Sequence, residues 1–247
     1  MKNQYFGDIG DYGKYGLLRF LARHGVTVAV NWYLTPDDRS NDGNMRGYLG
    51  NEKDRVYDPE LFDVLREMCG RGEKDVRLFA ARNMIGGAVF FDDPVRPLPS
   101  DAVSSAKDKR SAREQWHRQA LEACAGKELV FLDPDNGMRT GGPAARKDAP
   151  KFVYASEAAA YYERGQDVIY YCHRGRRTDA QWAKAKQMMR KYCPGAALTG
   201  VTYHRGTQRS YIFVLHPEKE ARYRGLVNEF LQTEWKQCFT QESIGNR

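Results

Sequence analysis

The chain has 247 residues, with 39 Lys and Arg against 32 Asp and Glu, a formal net charge of +7 and 41% apolar residues. That is long enough for a sizeable core and too apolar for a disordered chain. No run of about 18 apolar residues occurs, the first residues contain no apolar stretch, and Cys69, Cys124, Cys172, Cys193 and Cys238 form no CxxC pair. A membrane span, a secretory leader, a zinc knuckle and a disulfide framework are therefore not expected, whereas a cytoplasmic location with reduced thiols is.

In chain order, Gly7, Gly10, Gly13 and Gly16 recur every third residue ahead of and within a helical pattern, Tyr12 to His24, whose apolar positions are Tyr15, Leu17, Leu18, Phe20 and Leu21. Glycine in a helix costs about 1 kcal/mol relative to alanine, so a regular series implies a crowded backbone or a close ligand. On that ground Tyr5, Asp8, Asp11 and Lys14 are expected to form one wall of a site; a plain glycine-rich helix cap is the alternative. The segment is not a phosphate loop, since GxxxxGK[ST] is absent. A strand is predicted over Val26 to Leu34, running into Thr35-Pro36-Asp37-Asp38. A helix over Pro59 to Cys69 follows, with Asp58 as N-cap and Pro59 in the first turn. The proline-rich stretch from Pro94 to Pro99 opens an inserted loop and helical region, about 92–125, in what is otherwise one α/β domain over 1–247. It contains a helix over Ser111 to Cys124.

The strand Leu129 to Leu132 (LVFL) ends in Asp133-Pro134-Asp135-Asn136-Gly137. A helix over Ser156 to Arg164 leads to the strand Asp167 to Cys172, which ends in His173-Arg174-Gly175-Arg176-Arg177. After a helix over Thr178 to Tyr192 come the strands Leu198 to Tyr203 and Ser210 to Leu215, joined by the short loop HRGTQR, and a last helix over Glu218 to Gln237. Strands alternating with helices predict a single Rossmann-like, mostly parallel sheet with helices on both faces, closed by a C-terminal antiparallel hairpin.

In such sheets ligands bind outside the carboxyl ends of the strands. That rule nominates Asp37, Asp133, Asp135, Asn136 and His173 as catalytic candidates. Two carboxylates held by the DPDNG turn and facing one cleft would repel, raising one pKa and leaving the other ionised; a bare structural turn is the alternative, since these are common turn residues. His173 stands among arginines that disfavour its protonated form, which suits a neutral acid/base or hydrogen-bond donor. Arg174, Arg176 and Arg177 are candidate phosphate ligands, and Tyr5, Phe6, Trp32 and Tyr33 candidate stacking partners for a base. His24 reads as a helix end, His117 as a surface residue and His216 as a strand end. No His/Cys set has zinc-ligand spacing, so no metal is expected. The basic runs at Lys107 to Arg118, His173 to Arg177 and His204 to Arg209 point to a polyanion, most simply nucleic acid; an ordinary solvated basic surface is the alternative.

The order of elements resembles the second half of class I S-adenosylmethionine-dependent methyltransferases, with LVFLDPDNG standing where amino-methyltransferases carry an Asp-Pro-Pro-aromatic motif. The opening pattern of Tyr5, Gly7, Asp11, Lys14 and Leu17 is similar to that of ribosomal RNA adenine-N6 methyltransferases. The whole chain resembles bacterial proteins that begin KNQYFGD and contain DPDNG. The resemblance implies a Rossmann-like fold, S-adenosylmethionine as cofactor and a nucleic-acid base as acceptor. Two segments depart from it: TPDDRSNDG replaces the glycine-rich cofactor loop, and Asp135 and Asn136 replace the second proline and the stacking aromatic.

The residues themselves favour hydrolysis, because strand-end carboxylates stabilise an oxocarbenium-like centre and activate water. Combined with basic patches, this points to cleavage of the N-glycosidic bond of a flipped, modified or normal base, with DNA favoured over RNA, in repair or phage defence. No cofactor, membrane or obligate protein partner is expected on that reading. A nuclease holding Mg²⁺ on Asp37, Asp133 and Asp135 is a close variant. The methyltransferase is the runner-up, and a non-catalytic nucleic-acid-binding module the third reading.

Overall fold

A computed structural model describes residues 1–38, 40, 43–98, 100–101, 105–140, 142, 146–242 and 244. Helix α1 (Ile9–Arg23) starts ahead of the apolar pattern because Asp8 caps it, its carboxylate accepting from the amide of Asp11 at 2.8 Å. After β1 (Val28–Asn31) come α2 (Pro59–Gly70), capped by Asp58 as its sequence predicts, and α3 (Val76–Ala81). Strand β2 (Val89–Phe91) precedes α4 (Ala106–Ala123), which Ser105 caps by accepting from the amide of Asp108. Strand β3 (Leu129–Leu132) leads through the DPDNG turn to a small parallel pair, β4 (Met138–Arg139) and β5 (Val153–Tyr154). Then follow α5 (Ala155–Glu163), β6 (Asp167–His173), α6 (Asp179–Lys186), β7 (Ala197–Tyr203), β8 (Arg209–Leu215), α7 (Glu220–Phe230) and β9 (Phe239–Gln241).

The main sheet has seven strands in the order β2-β1-β3-β6-β8-β7-β9. Strands β2, β1, β3 and β6 are mutually parallel, while β8 opposes both β6 and β7, and β9 opposes β7. The expected α/β architecture is therefore present, with parallel strands at one side and the antiparallel hairpin β7–β8 at the other. LVFL reads as a continuous apolar run because it is buried on both faces. Leu129 and Phe131 face a core shared with α1, α2, α3 and α7, and Val130 and Leu132 one shared with α4, α5 and α6.

Several boundaries differ from the apolar pattern. Strand β1 stops at Asn31 because the Asn31 side chain accepts from the amide of Tyr33 at 3.1 Å and Tyr33 takes a φ of 45°, turning the chain out of the sheet. The helix predicted to run to Tyr192 ends at Lys186 and continues as a separate 3-10 turn, Met188–Lys191. The last helix ends at Phe230, and Thr233 starts a new 3-10 turn over Glu234–Gln237. Within the region read as an insertion, α4 packs on β2 and seats Trp116 against Tyr33 and Phe91; Pro99 and residues 102–104 there lie outside the described residues.

Candidate active site

The DPDNG turn is pinned on both sides. The amide of Asp133 continues the ladder by donating to Asn31 O at 3.0 Å, the amide of Asn136 donates to Lys151 O at 2.9 Å, and Gly137, at φ 88°, accepts from the amide of Val153. A residue with a side chain is strained at that φ, which explains the glycine. The turn forms the floor of a cavity of about 380 Å³ at the carboxyl ends of β3 and β6, walled by the start of α1 and by β8.

Lys14 reaches this floor from α1. Its Nζ lies 2.6 Å from Asp133 Oδ2 and 2.7 Å from Asp11 Oδ1, and 5.1 Å from the centre of the Trp32 ring. Burial works against the ammonium, but Asp11 and Asp133 outweigh it and raise its pKa above that of an ordinary lysine. Asp11 is pushed up by burial and drawn back by Lys14, while its other oxygen accepts from the amide of Gly7 at 3.0 Å and from Tyr15 Oη at 3.2 Å. Asp135 accepts from Thr35 Oγ1 at 2.8 Å and lies 2.7 Å from the amino group of Met1. The two DPDNG carboxylates thus engage different cations, Asp133 the Lys14 ammonium and Asp135 the amino group of Met1.

Arg209, the first residue of β8, was visible in the sequence only as part of a basic run. Its Nε donates to Thr207 O at 2.9 Å, and among the described residues no carboxylate lies within ion-pair distance of its guanidinium. The guanidinium fits against α1 because residue 10 is glycine: a Cβ there would sit 1.5 Å from Arg209 Nη1. Likewise a Cβ on Gly13 would meet the Tyr203 ring at 2.6 Å and one on Gly16 the Trp235 ring at 2.3 Å. Gly10, Gly13 and Gly16 thus form a groove on α1 for Arg209 and Tyr203 of the β7–β8 hairpin and for Trp235 of the turn after α7, while Gly7 leaves room for Cys69. Gly13→Ala should lower the unfolding free energy by about 1–3 kcal/mol, because a packed ring must move. Gly10→Ala should cost less, since it displaces only the end of a flexible side chain. Urea unfolding of both variants measures the difference.

His173 ends β6 at the cavity edge, its Nδ1 3.0 Å from Tyr171 Oη. Burial, then Arg209 and Arg177, hold its pKa below 6.5, so the imidazole is neutral at pH 7; burial also pushes the Tyr171 phenol up to about 12. His117 is depressed by burial as well. Below pH 6.5 the unfolded chain therefore binds protons at these two residues that the folded chain refuses. Their contribution to stability is complete above pH 6.5 and is lost as pH falls through the folded-state values. Urea midpoints should fall between pH 7.5 and 5.5, by less in a His117→Gln, His173→Gln double variant.

The other sequence candidates divide. Tyr5, half-buried, and Asp8 line the cavity with Asp11, Lys14 and Asn136. Phe6, Trp32 and Tyr33 do not reach it: all are fully buried, and Tyr33 lies on the opposite face with its Oη 3.2 Å from Glu157 Oε2. Their large apolar rings are drawn into the core, so of the four proposed stacking residues only Tyr5 faces the cavity. Asp37 is also apart: it is exposed and accepts from the amide of Gln4 at 2.9 Å, holding the first turn of the chain. The set Asp37, Asp133 and Asp135 is therefore not assembled, and among the described residues no group of three or more His, Cys, Asp or Glu is arranged to hold a metal ion. His117 is buried, not on the surface, its Nε2 3.1 Å from Glu157 O; Arg113, counted in a basic run, is buried against Glu157 at 2.7 Å.

Arg174, Arg176 and Arg177 line a second cleft, of about 390 Å³, which meets the cavity at Asn136 and His173. Arg174 pairs with Asp179 at 2.5 Å and Arg177 donates to His173 O, while Arg176 is exposed. At the carboxyl end of β1, where the resemblance implies a cofactor, backbone closes in from both sides: Thr35 N donates to Met1 O and Val95 N to Leu34 O, both at 2.8 Å. These residues do not form an open cradle for S-adenosylmethionine; residues 39, 41 and 42 of TPDDRSNDG lie outside the described residues. No family model matches the chain, and no curated protein does.

Proposed function

We propose that the chain is a hydrolase that cleaves the N-glycosidic bond of a base flipped out of a nucleic acid, DNA before RNA, in repair or phage defence. One observation carries this reading: Asp133, Asp8, His173 and Arg209, from separate parts of the chain, converge on one cavity of about 380 Å³ at the strand ends. A pocket of that order suits a nucleoside-sized group.

On this reading the C1′–N bond breaks with its electron pair leaving on the base, and water adds to C1′. The water proton passes to a carboxylate, which hands it on to the departing base, so the products are a free base and a sugar hemiacetal. Asp133, whose Oδ1 makes no protein hydrogen bond among the described residues, stabilises the positive charge growing at C1′. Lys14 fixes the other carboxylate oxygen and so orients it. Neutral His173 donates toward the departing base, and Tyr5 covers it at the cavity mouth.

The sheet supports a second reading, because an antiparallel hairpin at the end of a parallel sheet is the feature that resembles class I methyltransferases. The closed end of β1 speaks against it. Incubating the purified chain with normal and modified DNA and measuring free bases by mass spectrometry tests the first reading. Calorimetry with S-adenosylmethionine, without metal, tests the second. Released base without cofactor binding supports the hydrolase; micromolar cofactor binding without base release overturns it.

A further inference from the structure

The cavity and the neighbouring cleft differ in charge. Asp8, Asp11, Asp133 and Asp135 line the cavity against Lys14, Arg209 and the amino group of Met1. Arg174, Arg176 and Arg177 line the cleft, and among the described residues no carboxylate does. Asp179 neutralises part of Arg174, but among the described residues neither Arg176 nor Arg177 has an acidic partner. The two spaces share Asn136 and His173 as their boundary, and Phe152 adds an aromatic edge to the basic side.

A free nucleoside has no use for the basic cleft, whereas a nucleotide within a strand presents both kinds of charge. Its sugar carbon becomes cationic as the bond to the base breaks, and its phosphates are permanently anionic. The geometry points to the cleft as a phosphate-binding subsite for the strand beside the flipped nucleotide, so that the substrate is a polymer and not a free nucleoside or nucleotide. This inference rests on the hydrolase reading for what enters the cavity, but not for strand binding itself. The turn 173–177 serves both halves: its first residue faces the reacting base and the next four hold the backbone. Guanidinium groups suit that task because they grip phosphate oxygens through several donors at once.

The test is fluorescence anisotropy with an end-labelled single-stranded DNA 12-mer at several salt concentrations. Arg176→Glu changes an exposed residue, and Arg177→Gln is the second variant. Each should weaken binding about tenfold and reduce the dependence of log Kd on log salt by about one. Lys127→Glu, just ahead of β3 and so at the amino ends of the parallel strands, should leave binding unchanged. No binding by the wild-type chain at low salt, unchanged affinity in both arginine variants, or an equal loss in Lys127→Glu would each overturn the subsite. Base release on the same samples separates the two proposals. Release with strand affinity indifferent to the arginines leaves the hydrolase and removes the cleft; strand binding through the arginines without release does the reverse.

Discussion

Asp133→Asn is expected to leave the chain folded and to lower base release about 10²–10³-fold, the loss typical when one group aimed at a developing charge is removed. The carboxamide keeps the shape of the side chain at the end of β3, and its oxygen can still accept from Lys14. What disappears is the negative charge that would face C1′. Lys14 retains Asp11 at 2.7 Å, so the buried ammonium is not left alone. Strand affinity, which we assign to the arginine cleft, should not change. Single-turnover release of base measures the first effect and anisotropy the second. A variant as fast as wild type would remove Asp133 from the chemistry and leave a binding module as the better description.

Lys14→Met carries the largest expected cost in stability. It strands two carboxylates, Asp11 and Asp133, whose side chains are only 5% and 9% exposed. Removing one partner of a buried ionic group typically costs about 3–5 kcal/mol, because the remaining charge has lost its compensation. The methionine fills much the same space, so packing against Trp32 is largely kept. Adding Asp11→Asn and Asp133→Asn to Lys14→Met should return part of the loss, since the stranded charges are then gone. Urea unfolding of the single and triple variants at pH 7.5 measures both. A single variant as stable as wild type would show that the triad contributes little and that the carboxylates take up protons instead.

The strands that position the cavity were legible because their apolar runs are short, strongly β-forming and ended by Asp or His. That is why Asp133, Asp135 and His173 could be placed at strand ends from the sequence. The aromatic residues after β1 were misplaced because an apolar run does not reveal where its backbone turns; the turn at Tyr33 sends both rings into the core. Asp37 follows the same strand but points to solvent, since a loop after a strand end can leave in any direction. Arg209 was hidden for another reason. Nothing in HRGTQR distinguishes its last arginine from its first, and Arg205 in fact pairs with Asp54 on the far side of the loop. Only the bare backbone of Gly10 marks where the other guanidinium lies, and that match joins residues at opposite ends of the chain.

The same match bears on the order in which the protein is made. Tyr203 Oη donates to Ile9 O at 3.0 Å across 194 residues of sequence, and Arg209 and Trp235 dock on the neighbouring glycines. Contacts of such long range form late, because the chain between them must be ordered first. During synthesis α1 leaves the ribosome with its groove empty and waits for β7 and β8 before the wall opposite Asp133 exists. The cavity is therefore among the last parts of the molecule to assemble, complete only once the C-terminal hairpin has docked.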